Sequence, residues 1–244
     1  MTSSYNNIIG TDTANTLIGS TGSDSFAALA GDDLVLGAGS NDLVYLGDGN
    51  DSLNFTDNAS LGAAYGENGN DSLHLTVSWS SATLSGGAGN DTIFITGGTS
   101  NVFYGDLGDD TITFGSANNH FINSTIYGGN LSDATSTDGS DSIALFGSVS
   151  ASLIQANAGA DTISVGSSVL GGSSVYGGQG GDSIIIGGTV SSSTVTGNLG
   201  NDSIIISGAL KGATVWGGSA DDTSLDGADS ISISGSLTAA SWLH

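Results

Sequence analysis

Aspartates that follow glycine-rich turns are the residues of this chain most able to do chemistry. Residues 176–206 read YGGQGGDSIII, a Ser- and Thr-rich return, then TGNLGNDSIII. Gly177, Gly178 and Gly180 let the backbone turn through angles that a side chain forbids, which leaves carbonyl oxygens directed into the turn. Asp182 adds a carboxylate beside them. Carbonyl and carboxylate oxygens are hard ligands, and a flexible ring of about six to eight of them suits Ca²⁺ better than Mg²⁺ or Zn²⁺. Behind each Asp, apolar residues alternate with others, the period-two pattern of a strand.

The strands that position these turns follow the same repeat. Asn15, Asp24, Asp33, Asp42 and Asp51 stand nine residues apart. The Asp positions then become Asp71, Asp91, Asp110, Asp141, Asp161, Asp182, Asp202 and Asp229, mostly nineteen to twenty-one apart, so that one edge keeps its Gly-Asp turn and the other becomes a Ser/Gly/Thr turn. Two longer gaps come from insertions, LSDATSTD before Asp141 and DDTSLD before Asp229. A stack of repeats tolerates these as loops at turns, so both are expected to bulge outward. Two residues after each Asp comes a column from Leu53 to Ile231, and four after it a column from Phe55 to Ile233. The opposite strand contributes Leu84, Phe103, Ile126, Ile154, Val175, Val195 and Val215. Stacked, these fill a narrow core in which each coil buries its apolar edge only against its neighbours. The expectation is an all-β parallel solenoid, a single thin, two-sheeted rod of about eleven or twelve coils, on the order of 55 Å long at a strand spacing of roughly 4.8 Å. The change of rhythm divides it into residues 1–60, built of nonapeptide coils, and 61–244, continuous with them and built of coils of about twenty residues.

The unit resembles the Ca²⁺-binding nonapeptide G-G-x-G-x-D-x-U-x of the RTX family. The resemblance runs over roughly residues 10 to 235. It implies a right-handed β-roll in which each ion sits between stacked turns, held by Asp carboxylates and carbonyls of the glycine loop. Carried over, the long edge holds Asp33, Asp51, Asp71, Asp91, Asp110, Asp141, Asp161, Asp182, Asp202 and Asp229, while Asp24 and Asp42 share the other edge. The loop glycines are Gly31, Gly49, Gly69, Gly89, Gly108, Gly139, Gly159, Gly180, Gly200 and Gly227. About ten Ca²⁺ ions would bring roughly +20 against a formal net charge of -23. Without them, carboxylates stacked about 5 Å apart repel, so folding is expected to depend on Ca²⁺. The glycines are irregular at Gly37-Ala38-Gly39-Ser40, Ser136-Thr137 and Ala156-Asn157-Ala158, and Asn15 offers only a neutral oxygen. Such turns could also be plain Asx turns.

Composition bounds the partners. In 244 residues there are 41 Gly, no Pro, no Cys and a single basic residue, Lys211. The acidity argues against nucleic acid and anionic membranes. The missing cysteine excludes disulfides and thiolate metal sites. The start, MTSSYNNIIG, has neither the basic nor the apolar region of a cleaved secretory signal, and no apolar run is long enough to cross a bilayer. The resemblance implies type I secretion and an extracellular or cell-surface protein.

Nothing in the chain reads as an enzyme. His74, His120 and His244 lack ligand spacing, and the pairs Asp32-Asp33, Asp109-Asp110 and Asp221-Asp222 imitate a glycosidase dyad but lie in repeat turns. No nucleophile elbow, HExxH or P-loop is present. Two outward columns remain. One is a hydroxyl row after each Asp, Ser52, Ser72, Thr92, Thr111, Ser142, Thr162, Ser183, Ser203 and Ser230. The other is aromatic-rich, Tyr65, Tyr104, Tyr127, Tyr176 and Trp216, readable as ladder packing or as a lateral contact stripe. The repeats run from near Met1 to near His244, leaving little room for caps, and uncapped solenoid ends pair head to tail into fibres. The expected role is a secreted Ca²⁺-binding structural protein that assembles, head to tail or laterally, into a filament or surface layer, with cell-surface polysaccharide as a possible partner. The alternative is a monomeric adhesin-like or ice-binding module.

Overall fold

The computed structural model describes residues 5–37, 41–55, 62–116, 118–129, 138–219, 227–238 and 241–243. Within them the chain winds into a parallel β-solenoid of two sheets, one of 12 strands and one of 16. The first sheet takes one strand from each coil, beginning at Asn6–Ile9, Asp24–Ala27 and Leu43–Asp48 and ending at Thr214–Gly218 and Trp242–Leu243. Its 12 strands agree with the count of coils read from the repeat. Every strand pairing is parallel, and identical repeat positions lie side by side: Leu53 against Leu73, Ile184 against Ile204, Val175 against Val195. A register held at every coil follows from the apolar alternation, because a one-residue slip would turn each core side chain out to solvent.

The core is the stack the repeat implies. Leu53, Leu73, Ile93, Ile112, Ile143, Ile163, Ile184 and Ile204 are buried, as are Leu84, Phe103, Ile126, Ile154, Val175, Val195 and Val215 from the facing sheet. In the last described coils Ile231 and Ile233 are only partly buried. At the other end Tyr5, Ile9 and Ile18 are exposed, and beyond Ile233 so are Leu237, Trp242 and Leu243.

The rod is not two-sided throughout. In the first coils a strand such as Thr16–Ile18 leads straight to the next turn. From Ser72–Ser80 and Thr92–Thr99 onward, strands of the second sheet bend over the edge and continue as short strands, Phe121–Ile122, Val149–Ser150, Val169–Leu170, Val190–Ser191 and Leu210–Lys211. These form a third side whose inward residues Phe121, Val149, Val169, Val190 and Leu210 are all buried. Trp79 and Phe121 fill the widened corner, with ring centroids 5.6 Å from Phe55 and 5.0 Å from Phe114 respectively. The expected two sheets are present, but beyond the opening coils the second of them folds over to make a third side, which the repeat did not suggest. Most of the Ser/Gly/Thr returns conceal a short strand, and Lys211 ends one of them, exposed. Both insertions, apart from Asp138, lie outside the described residues, as do Ala38–Ser40, Ser136-Thr137, Asp221-Asp222 and His244.

Candidate metal centres along one edge

Where the chain passes from the first sheet to the second, each coil makes the same turn. The residue two before the Asp is always glycine, and Gly31, Gly49, Gly69, Gly89, Gly108, Gly159, Gly180 and Gly200 have φ between 99° and 152°. That region suits glycine alone. Space demands glycine too, since a methyl group on Gly180 would collide with the carbonyl oxygen of Gly159, and one on Gly200 with that of Gly180. The carbonyls of this glycine column are thus stacked along the edge. Four residues before the Asp the backbone is also left-handed, but there Leu29, Glu67, Asp106, Asn157 and Asn198 adopt φ of 74–82°. This is why the sequence can lose its second glycine, as at Asn157, and keep the turn.

The aspartates form one continuous ladder. The backbone N–H of Asp33 donates to Oδ1 of Asp51 at 2.7 Å, Asp51 to Asp71 at 2.8 Å, Asp71 to Asp91 at 2.7 Å and Asp91 to Asp110 at 2.7 Å. It continues through Asp141, Asp161, Asp182 and Asp202 to Asp229, each bond 2.7–2.9 Å long. Asn15 begins it by donating its N–H to Asp33 Oδ1. All ten long-edge aspartates of the repeat are brought into this one column, and all but the exposed Asp229 are buried.

The second carboxylate oxygen is different. Oδ2 of Asp33, Asp51, Asp71, Asp91, Asp110, Asp141, Asp161 and Asp182 is buried and receives no hydrogen bond. Its surroundings are carbonyls: a methyl group on Gly105 would collide with both Asp110 Oδ2 and the carbonyl oxygen of Gly128, and one on Gly66 with Asp71 Oδ2 and the Gly86 carbonyl. A buried acceptor among acceptors is costly unless a positive charge joins them. No three acidic or imidazole side chains converge at one point among the described residues. A cation here would take most of its ligands from carbonyls, as Ca²⁺ does. The residues present therefore fit calcium.

Burial makes these carboxylates hard to ionise. It pushes Asp110 and Asp141 up to about 8, Asp71 and Asp182 to about 7, and Asp91 and Asp161 to about 6. The ladder hydrogen bond opposes the shift in each case, and neighbouring carboxylates add to it, Asp138 acting on Asp110, Asp141 and Asp161. Asp42 and Asp51 are raised by burial as well.

On the opposite edge Asp24 and Asp42 are joined by the same bond, 2.8 Å from Asp24 N to Asp42 Oδ1. Both oxygens of Asp24 are already engaged, Oδ2 by the Ser20 N–H at 2.6 Å and Oδ1 by Asn6 Nδ2 at 3.0 Å. Beyond Asp42 this edge carries Gly62 and Ala82, and from Asn101 onward Asn and Ser. Ala82 N donates to Asn101 Oδ1 at 3.0 Å, Asn101 N to Ser124 Oγ at 3.0 Å, Ser124 N to Ser152 Oγ at 3.1 Å and Ser152 N to Ser173 Oγ at 3.3 Å.

Sequence reading also missed a third ladder, just outside the aspartates. Asn70 N donates to Asn50 Oδ1, Asn90 N to Asn70 Oδ1, Asp109 N to Asn90 Oδ1 and Ser140 N to Asp109 Oδ1. The recurring Asn before Asp was its signal. Among the outward columns, Tyr45 joins Tyr65 in a stacked pair, as Tyr104 does Tyr127, each with centroids 5.3 Å apart. Those rings spend faces on each other, which favours ladder packing over an open contact stripe. His74 lies outward against Phe94, and His120 Nδ1 accepts the Ser148 N–H, so neither faces the aspartate column.

A search among curated proteins returns no match. A family model of the RTX calcium-binding nonapeptide repeat, spanning four copies, matches residues 9–44, 18–53, 80–112, 94–121 and 136–168. The matched segments, about half the chain, carry Asp24, Asp33, Asp42, Asp51, Asp91, Asp110, Asp141 and Asp161. Asp71, Asp182 and Asp202 repeat the same ladder outside those segments. The chain belongs to the RTX family of calcium-binding nonapeptide-repeat proteins, its repeats wound into a β-solenoid.

Proposed function

We propose that this chain is an extracellular structural rod that folds with on the order of ten Ca²⁺ ions and assembles with copies of itself into a filament or surface layer. The observation that carries the ion reading is the row of buried Oδ2 atoms with no hydrogen bond, set against stacked glycine carbonyls. Sites made mostly of carbonyls with one or two carboxylates suit the millimolar calcium found outside cells, where ligand charge is low and affinity modest. Type I secretion is the route that family membership suggests.

Assembly is supported by the two end coils of the described rod. Ile9 and Ile18 at one end are each 66 % exposed, and Trp242 at the other is 62 % exposed. Among the described residues Asn6–Ile9 and Trp242–Leu243 are the outermost strands of the first sheet, and an outermost parallel strand is where a second copy can add. Negative-stain electron microscopy of the 244-residue chain, in chelator and then in millimolar Ca²⁺, tests this. Filaments or sheets that appear only with Ca²⁺ are expected, and dispersed short rods would overturn assembly.

A second reading, a monomeric calcium-stabilised binding module of adhesin-like or ice-binding type, draws on the exposed hydroxyl row Ser52, Ser72, Thr92, Thr111, Ser142 and Thr162. Its neighbouring column, with His74, Phe94 and Ile185 among its members, is chemically mixed. Monodisperse rods with thermal hysteresis would favour this reading.

A further inference from the structure

The two edges answer the same backbone amide with different chemistry, and that difference bears on how the molecule responds to calcium. At Asn101 the side chain completes the turn alone. Its Oδ1 accepts the Ala82 N–H at 3.0 Å and its Nδ2 donates to the Trp79 carbonyl at 3.1 Å. The serines do likewise. Ser124 Oγ accepts from Ser124's predecessor in the ladder, Asn101, and donates to the Ile122 carbonyl at 2.8 Å; Ser152 Oγ donates to the Ser150 carbonyl at 2.8 Å and Ser173 Oγ to the Leu170 carbonyl at 2.6 Å. Each has a donor for the nearby carbonyl and an acceptor for the neighbouring amide. An aspartate has only acceptors, so its turn closes when a cation supplies the missing positive charge.

We propose that calcium controls one edge of the rod only, opening and closing the turns of the long-edge aspartates, while the Asn101, Ser124, Ser152 and Ser173 edge stays closed with or without the ion. This rests on the reading that the long edge binds Ca²⁺. The ion-independent edge is also the one backed by the third side, where Phe121, Val149 and Val169 are buried. Removing calcium therefore hinges the coils open along the aspartates, and leaves them joined along the serines.

Hydrogen exchange of the whole chain, in millimolar Ca²⁺ and in chelator, reads both edges at once. In chelator the amides of Asp71, Asp91, Asp110 and Asp161 are expected to lose about tenfold to a hundredfold in protection, the worth of a lost charge-assisted hydrogen bond, while those of Ala82, Asn101 and Ser124 keep theirs. Equal loss on both edges would overturn the one-edged control and leave the ion reading standing. No change anywhere on adding Ca²⁺ would sink both. Asp91→Asn supplies a sharper arm, because it places a donor where Oδ2 stood. By the precedent of Asn101, the Asp71 amide should then stay protected in chelator. If that amide exchanges in chelator as fast in Asp91→Asn as in the unsubstituted protein, the proposal fails.

Discussion

Along the long edge of the rod an aspartate ends every turn. Along the other edge, past Asp42, Gly62 and Ala82, the corresponding places fall to Asn101, Ser124, Ser152 and Ser173. Both edges use a side-chain oxygen to accept the backbone N–H of the preceding coil, at 2.7–2.9 Å for Asp33 to Asp229 and 3.0–3.3 Å for Ala82 to Ser173. The ladder itself therefore does not call for a cation. What calls for one is the second atom on that side chain. Asparagine puts a donor there and serine's single hydroxyl donates as well as accepts, whereas an aspartate leaves Oδ2 buried among carbonyls. On the function proposed above, calcium dependence is a property of one oxygen per coil.

Removing calcium is the experiment with the largest expected effect. An ion held at a thousand times its Kd contributes about 4 kcal/mol, and the long edge has many such places. Thermal unfolding followed by circular dichroism should show the melting temperature falling steeply in chelator. Ser152→Ala should leave that calcium-dependent interval unchanged, and a shrunken interval would mean that the two edges are not independent.

Acidity should act oppositely on the two forms. In the metal-free protein the folded-state values of Asp110 and Asp141 lie near 8 and those of Asp71 and Asp182 near 7, above about 4 for an unfolded Asp. The folded state then binds more protons, so these groups' contribution is full below about pH 4 and is lost as pH rises through about 6 to 8. In chelator, lowering the pH from 8 to 5 should raise the melting temperature. In millimolar Ca²⁺ the trend should reverse, since protons compete with the ion for the same oxygens. A metal-free protein that gains stability as pH rises would contradict the burial argument.

Glycine substitutions separate the edges by backbone. Gly180→Ala puts a side chain at φ 124° and into the Gly159 carbonyl, and should cost about 3 kcal/mol or more in urea unfolding. Gly212→Ala, in a return at φ 57° with open space around it, should cost only about 1 kcal/mol. Comparable costs would mean that the long-edge turn can relax. Ser152→Ala itself, which loses the hydrogen bonds that Oγ makes with the Ser124 amide and the Ser150 carbonyl, should cost about 1–2 kcal/mol, the same with calcium as without.

The long-edge aspartates and both core columns were legible in the sequence, because a strict period ties each Asp to apolar residues two and four places later. Burial of Ile184 and Ile186 follows from that alternation alone. The third side was not legible. Its strands, such as Val149–Ser150, are two residues long, too short to show any period. Nor was the neutral ladder, because Ser124, Ser152 and Ser173 are small polar residues that in sequence look like turn filler. Their role depends on stacking coils nineteen to twenty-eight residues apart. Asp24 shows the converse limit: its motif matches the family, yet Ser20 and Asn6 already engage its oxygens, which only the folded geometry reveals.

The central claim is that unmatched Asp oxygens on one edge hold the calcium, and the most direct test is to count the ions. Isothermal titration of chelator-treated, dialysed protein with Ca²⁺ should give on the order of ten ions per chain. Asp110→Asn should lower that number, and Asn101→Ala should leave it unchanged. Uptake of no more than one or two ions, or a count that Asp110→Asn does not alter, would contradict the account.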